Sequence, residues 1–408
     1  MTKHALTITA TYRIVTPMFC AGADQQTAEL RLPSFKGALR FWWRSLMWKK
    51  VKDHHELRER EAALFGSSEG HFGKSKVEFR WINHPPLDVV RPPAVFESGR
   101  LHGAHYLAYG VMEPFESQKK GTKAGELTRP MIRSTQFTVA CRCSRTLEKT
   151  DRDDVRRSLI LLGTLGGLGS KSRKGFGSLT LTDLAIDDAA ISLPITPAER
   201  LQTLLTDLPD ELPAWTAWSS QSRIVATDHA SGTRAIEVLD ALGREQVHFR
   251  SWGRHGHVLG AASEENFRTD HDLSKSICSG SDYPYRVAFG LPHNYGKGVK
   301  KQVTPGRHDR RASALFFHID QIDADSPPHG VVAFLPAEFL AKDDQLKVFG
   351  CNVDVATNDA FWFPVHGFLD RLTSVDSPPK ARPGYSRFPN DNWWRKQTAL
   401  EAQEVHIG

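Results

Sequence analysis

The chain has 408 residues, of which 40% are hydrophobic and 25% charged, and its net charge is +6 at pH 7. This composition argues against a disordered, collagen-like or coiled-coil protein and predicts two or three domains of roughly 100–200 residues each. No stretch is apolar enough to span a membrane, and the first residues lack the apolar region of a signal peptide. Five scattered cysteines argue against a disulfide scaffold, so we expect a cytoplasmic protein with no membrane partner.

The first part of the chain is predicted to hold strand, helix, strand, strand, helix and strand in that order. Alternating or β-branched patterns predict strands at residues 6–16, 76–82, 136–142 and 178–184. One helix is predicted to start with Ser34 as its N-cap and to end near residue 50, and another covers residues 153–165. This order is the split βαβ, or ferredoxin-like, arrangement, which RNA-recognition domains also use.

The second part is predicted to repeat this arrangement with additional segments. Strand candidates lie at residues 222–227, 287–291, 315–321 and 331–335, and helix candidates at 233–249 and 358–372. We therefore predict the α+β class, with two ferredoxin-like domains in tandem. The predicted boundaries are 1–195 for the first domain, 196–215 for a connector, 216–374 for the second domain and 375–408 for an irregular, basic, proline-rich tail.

The basic residues are clustered along the chain. Residues 31–60 hold nine basic and three acidic residues, and residues 163–182 hold three basic residues and no acid. Residues 295–312 hold six basic and one acidic residue, and residues 380–396 hold five and one. Such clustering indicates an extended anionic partner, for which nucleic acid is the first candidate.

A glycine-rich segment at residues 166–177 is the most specific of these clusters. It combines five glycines with Lys171, Arg173 and Lys174, and Phe176 is available to stack on a base. Glycine lets backbone N–H groups converge on phosphate oxygens, so we predict RNA contact here. The spacing fits neither a Walker loop nor GxGxxG, which argues against a nucleotide-binding enzyme. The alternative interpretation is a flexible connecting loop.

The first predicted helix has an apolar stripe and a separate basic face. The apolar stripe consists of Phe35, Leu39, Trp42 and Leu46. Lys36, Arg40 and Arg44 follow one another at i, i+4 and i+8, close to Trp43. We predict that these cations contact RNA phosphates and that Trp43 stacks on a base. The alternative is a solvated helix face with Trp43 in the core.

Two further arginines, Arg310 and Arg311, open a predicted strand and are also predicted to contact RNA. The neighbouring lysines, Lys297, Lys300 and Lys301, fit a solvated loop equally well. No catalytic residue, metal or cofactor is predicted, because Cys141 and Cys143 lack a second pair and the closely spaced histidines at 102/105 and 255/257 lack a third ligand. His293 is the histidine to test as a general base.

Three parts of the chain resemble the RAMP superfamily of CRISPR-associated proteins. The segment GGLGSKSRKGFGS at residues 166–178 resembles the glycine-rich signature of that superfamily. The segments FCAGAD at 19–24 and ELRLPSFKGALRFWWR at 29–44 resemble the N-terminal pattern of its first Cmr subunit. FGLP at 289–292 and RRASAL at 310–315 resemble the C-terminal pattern, although the proline often found near the position of Ala314 is missing.

This resemblance implies a non-catalytic subunit of a type III-B ribonucleoprotein with two ferredoxin-like domains. It implies that the partners are a guide CRISPR RNA, a target RNA and other Cmr-type RAMP subunits. It also implies a position toward the 3′ end of the guide and a role in target capture for antiviral defence. The alternative within the same superfamily is a metal-independent endoribonuclease that acts on CRISPR RNA.

Overall fold

The computed structural model describes most of the chain in separate stretches. These are residues 5–69, 72–83, 85–97, 101–252, 256–274, 282–295, 301–355, 358–374, 376–395 and 400–408. No helix in these stretches is both long and apolar enough to cross a membrane.

The first part of the chain builds an antiparallel sheet. Its strands are β1 (Leu6–Ile14), β2 (Val77–Asn83), β3 (Val89–Val90), β4 (Met131–Ile132), β5 (Gln136–Cys143), β6 (Leu179–Ile186) and β7 (Ala189–Ala190). The sheet order is β2-β5-β1-β6-β7, and β3 pairs with β4 outside this sheet. The four strands predicted in this part of the chain are confirmed.

Five α-helices lie in the described stretches of this part of the chain. They are α1 (Leu32–Ser45), α2 (His54–Phe65), α3 (His102–Leu107), α4 (Lys149–Leu165) and α5 (Pro197–Leu204). The two predicted helices are confirmed as α1 and α4, which pack on each other, but α1 ends at Ser45 and not near residue 50, because Trp48–Lys50 form a separate 3₁₀ turn. Ser34 is not the N-cap, because α1 already begins at Leu32 with Pro33 in its first turn. Proline suits that turn, where its missing N–H has no helical partner in any case.

The second part of the chain adds ten strands and three helices in the stretches described. The strands are β8 (Arg223–Asp228), β9 (His257–Val258), β10 (Ala261–Ala262), β11 (His293–Asn294), β12 (Gln302–Pro305), β13 (Leu315–Asp320), β14 (His329–Phe334), β15 (Leu346–Val348), β16 (Cys351–Val353) and β17 (Gln403–Val405). The helices are α6 (Ala235–Arg250), α7 (Arg268–Leu273) and α8 (Phe363–Thr373).

The largest sheet of this part is antiparallel and has the order β13-β14-β8-β17. A smaller sheet has the order β11-β12-β15-β16, and β9 pairs with β10. Cys20, Cys141 and Cys143 are buried free thiols, whereas Cys351 is disulfide-bonded, which the scattered cysteines did not predict.

Two expectations for the second part are wrong. Residues 287–291 were predicted to form a strand, but Tyr285–Phe289 form a 3₁₀ helix, because the buried Asp270 carboxylate accepts hydrogen bonds from the first two N–H groups of that helix. The end of the tail is not irregular, since β17 pairs with β8 and completes an edge of the second sheet.

The second sheet is buried on both faces, because its residues alternate between two hydrophobic clusters. Ile224, Phe316 and Val331 face the cluster that contains α1, α4 and the first sheet. Val225, Phe317 and Val332 face the other cluster, which contains α6 and α8. The layers therefore follow the order sheet, helices, sheet, helices, with the glycine-rich segment beside the second sheet.

Candidate nucleic-acid interface

The glycine-rich segment joins α4 to β6 along the chain and lies beside the second sheet. Gly169, Gly175 and Gly177 have positive φ, and a Cβ at Gly177 would lie 2.2 Å from the carbonyl oxygen of Leu168. Seven of its N–H groups already donate to backbone carbonyls: those of Gly166, Leu168, Ser170, Lys174, Gly175, Phe176 and Gly177. These seven amides are therefore not available as the predicted nest for phosphate.

Arg173 joins the two halves of the molecule. Its guanidinium lies between the rings of Phe41 in α1 and Phe316 in β13, at 4.9 and 4.8 Å from their centres. Its Nη1 donates to the carbonyl oxygen of Ser313 at 2.9 Å. Burial, together with Arg311 and Arg44, lowers the pKa of Arg173 to about 10. These contacts favour a structural role over a free phosphate contact.

Lys171 is the loop cation best placed to meet a phosphate. It is half-buried, and no acid contributes to its electrostatic environment; burial lowers its pKa, and the nearby Arg310 and Arg129 lower it further. Within the described residues, the side chains of Arg310 and Arg129 form no hydrogen bond or ion pair, and Arg310 is exposed. Lys171, Arg129 and Arg310, which we name the cation trio, therefore carry positive charge that no acid balances.

Arg311 differs from its exposed neighbour Arg310. Its Nε donates to the carbonyl oxygen of Phe339 at 2.8 Å, and its guanidinium lies over the Phe339 ring at 5.7 Å. The side chain therefore holds the chain segment after β14 in place. Lys297 and Lys300 of the same basic stretch lie outside the described residues.

The basic face of α1 packs against α2. Arg40 Nε and Arg44 Nη1 both donate to Glu61 Oε1, at 2.6 and 2.5 Å, and Lys36 Nζ donates to the carbonyl oxygen of Phe65 at 2.7 Å. Glu61 is buried, so it balances part of the charge that the sequence assigned to RNA. The charge pattern alone predicted a free basic face because it does not show that α2 covers it.

The two predicted stacking residues are core residues. Trp43 is 3% exposed and packs edge-on against Phe65, and Phe176 is fully buried against Phe19. A ring without an exposed face cannot stack on a base. The expectation that Trp43 and Phe176 contact RNA is therefore wrong for this structure.

Other aromatic side chains, which sequence reasoning missed, line a cleft next to Arg310. Trp48 and Trp215 are half-buried and meet edge to face with ring centres 4.8 Å apart, and His54 lies 5.0 Å from Trp215. The Trp215 indole donates to the carbonyl oxygen of Arg44 at 3.2 Å, which fixes the ring. The cleft has a volume of about 790 Å³. We name it the tryptophan cleft.

Lys174 contacts residues of both α6 and β13. Its Nζ lies 3.5 Å from Gln246 Oε1 and 5.3 Å from the centre of the Phe317 ring. Burial and three neighbouring cations, Arg250 first among them, lower the pKa of Lys174 to about 7. In the described stretches, no three His, Cys, Asp or Glu side chains are grouped so that they could hold a metal ion.

Comparison with known proteins identifies relatives of this chain. Residues 11–180 match the family model of the RAMP superfamily. The Cmr subunit Cmr1-2 of the CRISPR system of Pyrococcus furiosus is 28% identical over 179 residues, which cover 40% of this chain and 89% of that protein. The subunit Cmr1-1 of the same organism is 23% identical over 333 residues, covering 80% of this chain and 86% of that protein.

Solved structures of similar chains are more distant. The crystal structure of Cmr1 from Pyrococcus furiosus in its apo form has 18% identity and a TM-score of 0.46, covering 98% of this chain and 99% of that one. A chain in the cryo-EM structure of the type III-B Cmr-beta complex bound to cognate target RNA has 12% identity and a TM-score of 0.47, covering 90% and 100%. Residues 11–180 are therefore similar to the RAMP superfamily, and the chain is similar to two Cmr subunits of a CRISPR system.

Proposed function

We propose that this chain is a non-catalytic RNA-binding subunit of a type III-B CRISPR ribonucleoprotein. In this proposal it lies toward the 3′ end of the guide CRISPR RNA and assists the capture of target RNA. Other Cmr-type RAMP subunits are its protein partners. The names of the two curated relatives, both Cmr subunits of a CRISPR system, support this assignment.

The observation that carries the proposal is the cation trio beside the tryptophan cleft. Lys171, Arg129 and Arg310 lie close together without a balancing acid, and Arg310 also lines the cleft that holds Trp48 and Trp215. Cations neutralise backbone phosphates, and exposed indole faces stack on unpaired bases. This arrangement suits a single strand whose phosphates follow the trio and whose bases enter the cleft.

The fold supports the same proposal. Both parts of the chain contain strand, helix, strand, strand, helix and strand, if the short additional elements are set aside. The order of the four main strands is also equivalent in the two sheets: it is β2-β5-β1-β6 in one and β13-β14-β8-β17 in the other. We propose two ferredoxin-like domains in tandem, divided at residues 196–215, with the end of the tail completing the second sheet.

A binding assay with labelled single-stranded RNA tests this function. We expect affinity to fall with salt, with a log–log slope of roughly −4 if six phosphates are neutralised. The double variant K171A/R310A should bind at least tenfold more weakly at an unchanged melting temperature, because exposed charges contribute little to folding. The double variant R142A/R145A removes two exposed cations from β5 and the turn after it, and it controls for net charge. Equal losses in both variants would contradict the assignment.

A metal-independent endoribonuclease is the second candidate. His293 is half-buried, and burial and the surrounding cations, Arg250 first, hold its pKa well below the usual value, so its imidazole is neutral. A neutral imidazole can act as a general base. The same assay distinguishes the two functions, since RNA that is cleaved by the wild type and left intact by H293A would favour the nuclease.

A further inference from the structure

The C-terminal end of α6 presents two donor groups that have no acceptor. Gln246 and Arg250 are one helical turn apart, so their side chains lie on the same face of α6. Gln246 is fully buried, and its Nε2 has no hydrogen-bond partner. The Nε of Arg250 is also buried without a partner, and the guanidinium lies 4.6 Å from the centre of the Phe289 ring.

Lys174 adds a third donor at the same place. Its Nζ is 3.5 Å from the Gln246 amide oxygen, and Arg250 is its strongest charged neighbour. The glycine-rich segment and α6 thus bring one ammonium, one amide N–H₂ group and one guanidinium together. We name these three side chains, Lys174, Gln246 and Arg250, the donor recess.

Asp270 contributes to the electrostatic environment of Arg250, but its hydrogen bonds are made to other groups. Asp270 accepts hydrogen bonds from the backbone N–H groups of Tyr285 and Arg286, at 2.7 and 2.9 Å, and from Arg286 Nε at 3.1 Å. Asp270 is therefore committed to Arg286 and the start of the 3₁₀ helix. The electrostatic neighbours of Lys174 are all cations.

A buried donor without an acceptor is destabilising, and the cost is larger for charged groups. Two such donors, Gln246 Nε2 and Arg250 Nε, lie beside the Lys174 ammonium, whose one acceptor among the described residues is the Gln246 amide oxygen, so the recess favours a ligand that supplies both acceptors and negative charge. A tetrahedral oxyanion meets both requirements, and guanidinium and ammonium groups bind phosphate through charge-assisted hydrogen bonds. Lys174 and Arg250 each keep part of their surface exposed, whereas Gln246 is fully buried.

We propose that Lys174, Gln246 and Arg250 form a binding site for a single phosphate group of an RNA strand. The site rests on the proposed function, because Lys174 is three residues from Lys171 and a strand on the cation trio would continue past the glycine-rich segment. The phosphate is either terminal or internal to the strand. Free inorganic phosphate shares the chemistry and serves as a separate probe.

Variants that keep side-chain size test the site. K174M and Q246L each remove a donor, and K119M removes an exposed lysine elsewhere as the matched control. We expect K174M and Q246L to weaken RNA binding about tenfold, the value of one lost charge-assisted hydrogen bond. K174M should also make the salt slope shallower by about 0.7, whereas Q246L should not change it. Neither should lower the melting temperature.

Two further arms identify the source of the phosphate. RNA of one sequence with a hydroxyl or a phosphate at either end shows whether the group is terminal or internal. Inorganic phosphate should raise the melting temperature of the wild type and K119M more than that of K174M, because a ligand stabilises the state to which it binds. Salting-out effects act on all three proteins alike and cancel in this comparison.

The outcomes separate the site from the function. Wild-type affinity in both K174M and Q246L would overturn the site and leave the proposed function intact. An absence of RNA binding by the wild type would contradict both the function and RNA as the source of the phosphate, and a phosphate-dependent stabilisation that K174M lacks would then assign these residues to a free anion. If K174M fails to fold, the RNA affinity of Q246L and the melting temperature of the wild type in inorganic phosphate still test the site.

Discussion

Arg200 and Asp320 form a bidentate ion pair in the interior of the molecule. Arg200 Nη2 and Nη1 donate to Asp320 Oδ2 and Oδ1 at 2.9 and 3.2 Å, and each side chain is 1% exposed. The pair joins α5 to β13, and Thr180 of β6 donates to the same carboxylate at 2.9 Å. It therefore fixes the second sheet against the first part of the chain, and with it the position of the cation trio.

Removing the carboxylate of this pair should be strongly destabilising. Asp320→Ala leaves Arg200 buried without a counter-charge, which costs about 3–5 kcal/mol of the free energy of unfolding. Thr180→Val, which removes one neutral hydrogen bond to the same group, should cost about 1 kcal/mol. Urea unfolding followed by tryptophan fluorescence measures both. A loss below 1 kcal/mol for Asp320→Ala would mean that the pair contributes little to the interface.

The contact between α3 and α6 requires glycine on both helices. A Cβ at Gly243 would lie 2.5 Å from the carbonyl carbon and oxygen of Gly103. Gly243→Ala should therefore lower the free energy of unfolding by about 1–3 kcal/mol through overpacking. Gly37→Ala is the matched control, because nothing lies within 4 Å of the new methyl group in α1. It should stabilise by about 0.5–1 kcal/mol, so equal effects of the two changes would contradict the packing argument.

Arg40 and Arg44 should affect stability more than RNA affinity. Glu61→Gln leaves both arginines without their shared counter-charge and should cost about 1–3 kcal/mol in denaturant unfolding. The double variant R40A/R44A should also be less stable, yet its RNA affinity should stay within about threefold of the wild type. A tenfold loss of RNA affinity, equal to that of K171A/R310A, would indicate that the basic face of α1 does contact RNA.

Phe176 should behave as a core residue in every assay. Phe176→Ala removes a fully buried ring and should cost about 3–5 kcal/mol of stability. Phe176→Leu should cost less and should bind RNA as the wild type does, because the ring has no exposed face. Thermal melts and RNA titrations at a temperature where both variants are folded provide the check. Weaker RNA binding by a fully folded Phe176→Leu would indicate that the ring does contact a base.

Stability should depend on pH through Lys174. Its neighbours are Lys171, Arg173, Arg250 and His293, which include no acid, and its pKa is lowered to about 7 from about 10.4 in an unfolded chain. Between these values the unfolded state binds more protons, so stability rises with pH by at most about 1.4 kcal/mol per pH unit. Below pH 7 Lys174 is charged in both the folded and the unfolded state. The burial of its charge then lowers the free energy of unfolding by its full amount, which no longer changes with pH.

The comparison of wild type and K174M isolates that contribution. Urea unfolding at pH 6, 7, 8 and 9 should show a rise in wild-type stability above pH 7 that K174M lacks. RNA affinity of the wild type should fall over the same range, since phosphate favours the protonated lysine. Parallel stability curves for the two proteins would mean that Lys174 titrates normally.

The order of the main elements could be predicted from the sequence because it depends on local periodicity. Alternation with period two predicts β1, β5 and β6, and the apolar stripe of α1 follows the helical repeat. The glycine-rich segment was also recognisable, since its glycines and cations are consecutive. The 3₁₀ helix at Tyr285–Phe289 was not, because its start depends on Asp270, which is distant in sequence.

The sequence by itself determined most of the main strands and helices and the clustering of basic residues, since both are properties of neighbouring residues. Only the tertiary structure decided which cations are free. Arg40 and Arg44 share the single negative charge of Glu61 on α2, whereas Arg310 has no such partner in the described part of the chain. Gln246 lies 72 residues from Lys174 in the sequence, so no local sequence pattern predicts that their side chains are in contact. Pairing and burial depend on which surfaces pack together, and that is settled by the fold.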